Sequence, residues 1–345
     1  MWWCNKENTY TENYYAIPAV RSNDQNIVVA DINLDGKPEI VTRCGILNGK
    51  GEKIVNNGCI QKEVVSGLLS INDDAHTGLK RYIAPIFIGV ANVDSDQYPE
   101  IIVTGYDRVR IYEHDNYTTP TKEWRIENLS KFQYYTTWHI FTFGGAPAIG
   151  DFDNDGKAEI GVATRFKYTV WKSDGTKLWE KSINESGSGF TAATLYDFED
   201  DGIAEVVYRD EQFLYVLKGD DGSELFKYPV NSETLTEYPL VADIDGDGQA
   251  EIVVTQDDEN NPSTNGIIAF EATNNDWSTT RAIWNQYGYH ITNINEDGRV
   301  PKIEANNWQL AGLNNYRQNT WQSTQEKESD KFRYQIDKPM RQRFS

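Results

Sequence analysis

APAIGDFDNDGKAEIGVAT, residues 146–164, reads as a short apolar run, an acidic loop, a glutamate and a second apolar run. Four other segments align with it: IVVADINLDGKPEIVT from Ile27, IFIGVANVDSDQYPEIIVTG from Ile86, TAATLYDFEDDGIAEVVY from Thr191 and YPLVADIDGDGQAEIVVT from Tyr238. Self-similarity of this kind decides the fold before any single element does, because each repeat is one supersecondary unit that must stack on its neighbours.

The first loop residues, Asp31, Asn92, Asp151, Asp197 and Asp243, lie 61, 59, 46 and 46 residues apart. A period near 46 is that of a four-stranded propeller blade. The rest of a blade follows each loop: KYTVWK, the turn SDGT and KLWEKS in the third repeat, and QFLYVLK, GDDGS and ELFKYPV in the fourth. Asp-Gly between alternating apolar residues marks a hairpin. The pattern predicts an all-β propeller with the acidic loop between the first two strands of each blade. The longer first two repeats carry insertions around Ser66 to Lys80 and Asn116 to Tyr135, which are expected to be surface loops. A weaker sixth echo, HITNINEDGRVPKI, has Asn293, Asn295, Asp297 and Gly298 but Pro301 in place of the glutamate, and reads as part of a closing blade shared with the N-terminal residues. Residues 1–320 are expected to form one propeller domain and 321–345 a polar tail or linker.

Carboxylates at alternate positions of a tight loop aim their oxygens at one point, and calcium takes six to eight oxygens at about 2.3–2.6 Å. Positions 1, 3 and 5 are Asp31, Asn33, Asp35; Asn92, Asp94, Asp96; Asp151, Asp153, Asp155; Asp197, Glu199, Asp201; and Asp243, Asp245, Asp247. Position 7 is expected to give only its backbone carbonyl, and varies as Lys37, Tyr98, Lys157, Ile203 and Gln249. Position 9 is acidic throughout: Glu39, Glu100, Glu159, Glu205 and Glu251. Gly36, Gly156, Gly202 and Gly248 supply the sharp turn at position 6. The second loop has Gln97 there and neutral Asn92 at position 1, so it is expected to bind metal most weakly. One such loop is an ordinary Asx-rich turn as readily as a metal site. Five in register point to calcium, held at several sites and structural in role.

The net charge of −20 repels a phosphate backbone, and no basic stripe offsets it, which excludes nucleic acid as the expected partner. The loops gather 18 carboxylates, and five bound calcium ions would halve the charge. No apolar run is long enough for a membrane helix, and the start MWWCNKENTY lacks the pattern of a secretory signal. The signal is expected to have been removed, or the chain to be part of a larger multidomain protein. Three cysteines exclude a disulfide scaffold. Cys44 and Cys59 flank a Gly-rich stretch and are placed to pair across it in an oxidising compartment, or to stay thiols in a reducing one.

The loop pattern resembles the FG-GAP or VCBS repeats of integrin α-chain propellers and their bacterial relatives, and FGGAP itself occurs at residues 143–147. The segment 282–319 is similar to the part that closes bacterial surface propellers of this group. The resemblance implies six or seven blades, calcium in the loops, an extracellular or cell-surface location, and ligands met on the face opposite the loops.

The leading function is a calcium-stiffened adhesion or binding module with an extracellular protein or glycan as ligand. A calcium-dependent polysaccharide lyase is the alternative, and a structural spacer that binds nothing is the third reading. No GxSxG, HExxH or paired-cysteine motif supports catalysis. Of the four histidines, His139 and His290 read as structural residues. Trp284, Asn285, Asn293, Trp308 and Arg317 in the closing segment read as a site or as a latch, and the latch is the simpler reading.

Overall fold

A computed structural model describes residues 27–42, 45–52, 54, 86–105, 108–114, 122–125, 144–186, 189–232, 236–258, 260–273, 276–320 and 340–342. Cys44, Cys59, His139 and both expected insertions lie outside these residues, except for a short strand at 122–125. Among the described residues the regular structure is β-strand, apart from three single-turn 3-10 segments.

Five antiparallel sheets follow one another along the chain. The first holds β1 (Val28–Ala30), β2 (Glu39–Thr42) and β3 (Gly45–Leu47). The second holds β4 (Ile86–Ala91), β5 (Glu100–Gly105), β6 (Arg108–Tyr112) and β7 (Lys122–Arg125). The third holds β8 (Ala148–Gly150), β9 (Glu159–Thr164), β10 (Lys167–Trp171) and β11 (Lys177–Ser182). The fourth holds β12 (Thr194–Tyr196), β13 (Glu205–Arg209), β14 (Phe213–Leu217) and β15 (Glu224–Pro229). The fifth holds β16 (Leu240–Ala242), β17 (Glu251–Gln256), β18 (Gly266–Phe270) and β19 (Met340–Gln342). First strands of consecutive sheets lie against each other in chain order, β1 on β4, β4 on β8, β8 on β12 and β12 on β16. The arrangement is propeller-like, with the acidic loop joining the first two strands of every sheet as expected.

Second strands β5, β9 and β13 are buried along their whole length, because sheets stack on both their faces. Outer strands β11 and β15 are largely exposed and take the alternating polar pattern of an edge. One apolar cluster runs through the first three sheets, and two more fill the spaces between the third and fourth and the fourth and fifth. The tyrosines and tryptophans are largely packing residues here: Tyr168, Tyr196, Tyr208 and Tyr215 are all buried between sheets.

The stretch 276–320 forms no named strand; its echo of the repeat is a turn at Asn295–Arg299. The fourth strand of the fifth sheet is β19, from the region after residue 320. The N-terminal residues, expected to share a closing blade with the echo, lie outside the described residues.

The closing segment laces the inner strands together. Asn314 exchanges hydrogen bonds of 2.9 and 2.6 Å with the main chain of Asn92, beside β4. Tyr316 exchanges main-chain bonds of 3.0 and 2.8 Å with Ile149 in β8, and the Arg317 carbonyl accepts from Leu195 in β12 at 2.9 Å. Asn319 Nδ2 donates to the Val241 carbonyl in β16 at 2.9 Å. Four residues thus meet four consecutive sheets in chain order. Asn319 is fully buried, and its Oδ1 also accepts from Tyr289 Oη at 2.9 Å. Removing that amide strands buried polar groups on both sides, so Asn319→Ala is expected to lower stability by about 2–3 kcal/mol in urea unfolding.

Candidate metal centres

The five acidic loops fold alike because their strands pair alike. In each, the position-9 glutamate lies opposite the last residue before the loop: Glu39 with Ala30, Glu100 with Ala91, Glu159 with Gly150, Glu205 with Tyr196 and Glu251 with Ala242. That register carries the carboxyl beneath the loop. Its Oε2 accepts from the backbone N–H of position 2 at 2.7 Å in Val93, 2.9 Å in Phe152, 3.0 Å in Phe198 and 2.8 Å in Ile244. Position 2 is apolar in every repeat, and Ile32, Val93, Phe152 and Phe198 are buried. This anchor is a signal in the sequence that the carboxylate spacing overshadowed.

Above the glutamate, the position-1 aspartate accepts two N–H groups across the turn. Asp31, Asp151 and Asp197 take those of positions 5 and 6 at 2.8–3.1 Å, and Asp243 takes those of Gly246 and Gly248. Position 5 accepts from the N–H of position 7 in all five loops, at Lys37, Tyr98, Lys157, Ile203 and Gln249. Position 4 takes the left-handed conformation at Leu34, Asn154, Asp200 and Gly246, as does the position-6 glycine of those loops. The second loop, with Ser95 and Gln97, does without it; Asn92 Nδ2 donates instead to the Asp96 carbonyl at 2.6 Å.

Carboxylate oxygens of Asp94, Asp96 and Glu100 lie within 4.8 Å of one another, as do those of Asp151, Asp153 and Glu159, and of Asp243, Asp245 and Glu251. In the first loop Asp35 and Asp31 act on Glu39, and in the fourth Asp197, Glu199 and Asp201 act on Glu205. The donor set is oxygen only, which suits a hard cation. Glu39 Oε2, Asp153 Oδ1 and Glu205 Oε1 are buried oxygens without a hydrogen-bond partner among the described residues. These residues fit calcium, which would take such oxygens as ligands. Asn33 Oδ1 is committed to the Asp35 N–H at 2.9 Å.

Burial, reinforced by the neighbouring acids, raises the carboxyls. Glu100 and Glu159 are each pushed up to about 8, Glu251 and Glu199 to about 7, and Asp197 to about 6; Glu39 and Asp151 rise and Glu205 rises well above the usual range. Asp155 goes the other way, because although burial opposes it, hydrogen bonding from Lys172 outweighs that effect.

The segment 92–162, which runs from the second acidic loop through the third, matches the family model described as the FG-GAP-like repeat. This stretch is an FG-GAP-like repeat. No curated protein sequence matches the chain. Among solved structures, the V. cholerae biofilm matrix protein Bap1 is similar at 17% identity and a TM-score of 0.57, over 85% of this chain and 76% of that one. The protein BBS1N, in complex with ARL6DN, aligns at 10% identity and 0.43 over 75% and 69%, and the Bacillus licheniformis rhamnogalacturonan lyase at 14% and 0.29 over 74% and 51%. The likeness to Bap1 shows the fold.

The residues singled out in the closing segment have different surroundings. Arg317, fully buried, donates to the Ala193 carbonyl at 2.8 Å and to the Tyr287 carbonyl, and lies 4.3 Å from the Tyr238 ring centroid, 4.6 Å from Tyr287 and 5.8 Å from Trp284. Trp308 is buried against the cluster of the first three sheets, and His290 bonds Glu304. Asn285 is exposed. They form a latch.

Raised carboxyls favour the folded state while protonated. Metal-free protein therefore has this contribution in full below about pH 4, the unfolded carboxylate range, and loses it as pH rises through 6 to 8. In chelator the melting temperature is expected to fall steadily from pH 5 to pH 8. A flat profile in differential scanning calorimetry would remove the clustered loops as the cause.

Proposed function

We propose that this chain is a calcium-stiffened binding module of a secreted or surface-displayed protein. The observation that carries the reading is the position-9 glutamate, repeated five times beneath a ring of loop oxygens, its carboxyl raised by burial and further by its acidic neighbours. Such a carboxyl needs either a proton or a cation, and at neutral pH a divalent cation satisfies several at once. Extracellular calcium modules bind at about 0.1–1 mM, so the ion suits a location outside the cell. The fold shared with a biofilm matrix protein supports the same setting. Among the described residues no helix is long and apolar enough to cross a membrane.

The binding half of the reading rests on the other end of the inner strands. Each first strand runs toward its acidic loop, so residues preceding those strands lie at the opposite end. Phe87, Ala146, Phe190 and Ala192 cluster there, packed by partly exposed Tyr238 and Tyr287, with Trp284 6.1 Å from Tyr238. Partly exposed rings on a rigid base suit an extracellular protein or glycan, with calcium acting at a distance to hold the base.

A ligand at tenfold its dissociation constant adds about 1.4 kcal/mol per site. Titrating calcium into chelated protein at pH 7.5 is expected to raise the melting temperature by more than about 5 °C, with magnesium giving little. Glu251→Gln, which leaves the strand register intact, is expected to remove one bound ion by elemental analysis. Unchanged melts together with metal-free protein after dialysis against calcium would end this reading.

A further inference from the structure

The third and fifth loops carry the same acids, Asp-x-Asp-x-Asp-Gly and a position-9 glutamate, and bring the same three positions together. What differs is the hairpin beside them. In every sheet the residue after the position-9 glutamate pairs with the end of the third strand, at Leu47, Tyr112, Trp171, Leu217 and Phe270. The next residue is therefore equivalent in all five: Asn48, Glu113, Lys172, Lys218 and Glu271. Asn48 is used in its own hairpin, where it donates to Glu52 Oε2 at 2.8 Å, and Glu271 is exposed. Glu113 faces Glu100 and adds to its rise.

Lys172 reaches into the third loop. Its Nζ lies 2.6 Å from Asp153 Oδ2 and 3.0 Å from Asp155 Oδ2, bonding two of the four acids. A bulge between Val170 and Trp171 precedes it, and the same bulge falls between Val216 and Leu217 before Lys218. Lys218 is held by Asp220 at 2.7 Å and acts on Glu199 only through space. An ammonium on Asp153 Oδ2 and Asp155 Oδ2 and a divalent ion on another oxygen of the same carboxylates, such as the unpartnered Asp153 Oδ1, oppose each other, since like charges at this range repel strongly.

We infer that Lys172 is a built-in counter-cation of the third loop, so that this loop holds together without metal and takes the ion only after the fifth. Lys218 is a looser version of the same device in the fourth. The inference rests on the calcium reading above and adds an order of filling to it.

Calorimetric titration with calcium chloride tests it on the wild type, Lys172→Gln and Lys177→Gln. Lys177 lies on the same sheet and pairs with Glu180, so its variant changes the net charge equally away from the loop. The wild type is expected to show tight and weak sites, with Glu251→Gln losing a tight one and Glu159→Gln a weak one. Lys172→Gln is expected to tighten one weak site about tenfold, and Lys177→Gln to leave the isotherm unmoved. Melting separates this role from simple packing: Lys172→Gln should melt below wild type in chelator, yet at or above it in saturating calcium. An unmoved isotherm, an equal shift in Lys177→Gln, or the same loss of stability in both conditions overturns the inference alone. Absence of calcium uptake by every variant overturns the calcium reading and this inference with it.

Discussion

A carboxylate buried beneath other carboxylates is the constraint on which this structure turns. Each position-9 glutamate is pinned by strand register on one side and by a backbone N–H on the other, so it cannot swing out to water. Left ionised and unmatched, it opposes folding five times over. The loop above it has three remedies, and the molecule uses or admits all of them: a proton, which the raised carboxyls favour; a lysine, as at the third loop; and a divalent ion. The loops are thus best seen as sites that must be neutralised somehow, with the means differing from sheet to sheet.

Much of this was legible in the residues. Alternating acids, the position-6 glycines and the 46-residue period placed the loops between the first and second strands, which is where they lie. The apolar position 2 was equally visible, but its meaning depends on an N–H that only the strand register aims. Lys172 was not legible, because it sits in a different hairpin and reaches Asp153 only once β10 has paired with β9. Residues 276–320 resisted reading for another reason. They have neither a strand nor a helix period, and much of their work is done by asparagine and arginine side chains bonded to main-chain atoms. The repeat logic therefore said little about the turn at Asn295–Arg299 and nothing about β19.

The two ends of the inner strands have divided roles. At the loop end, charge is concentrated and conformation is set by short hydrogen bonds to aspartates. At the other end, aromatic rings gather around a buried guanidinium whose main-chain bonds tie the fourth sheet to the closing segment. Second strands buried along their whole length run between the two ends, so close packing connects them.

That lacing has a consequence in time. Asn314 follows its partner Asn92 by 222 residues, so a ribosome working at about 5–20 residues per second leaves the second sheet waiting roughly ten to forty-five seconds for it. Until then the second to fifth sheets lack the bonds of the closing segment, and neighbouring sheets are joined by side-chain packing and a few hydrogen bonds such as Thr104 to the Gly145 carbonyl and Thr194 to the Pro239 carbonyl. The nascent chain must pass this interval as a string of half-secured hairpins with exposed strand edges. Its vulnerability to mispairing or proteolysis thus belongs to the period of synthesis, when the thread that joins the sheets has yet to emerge.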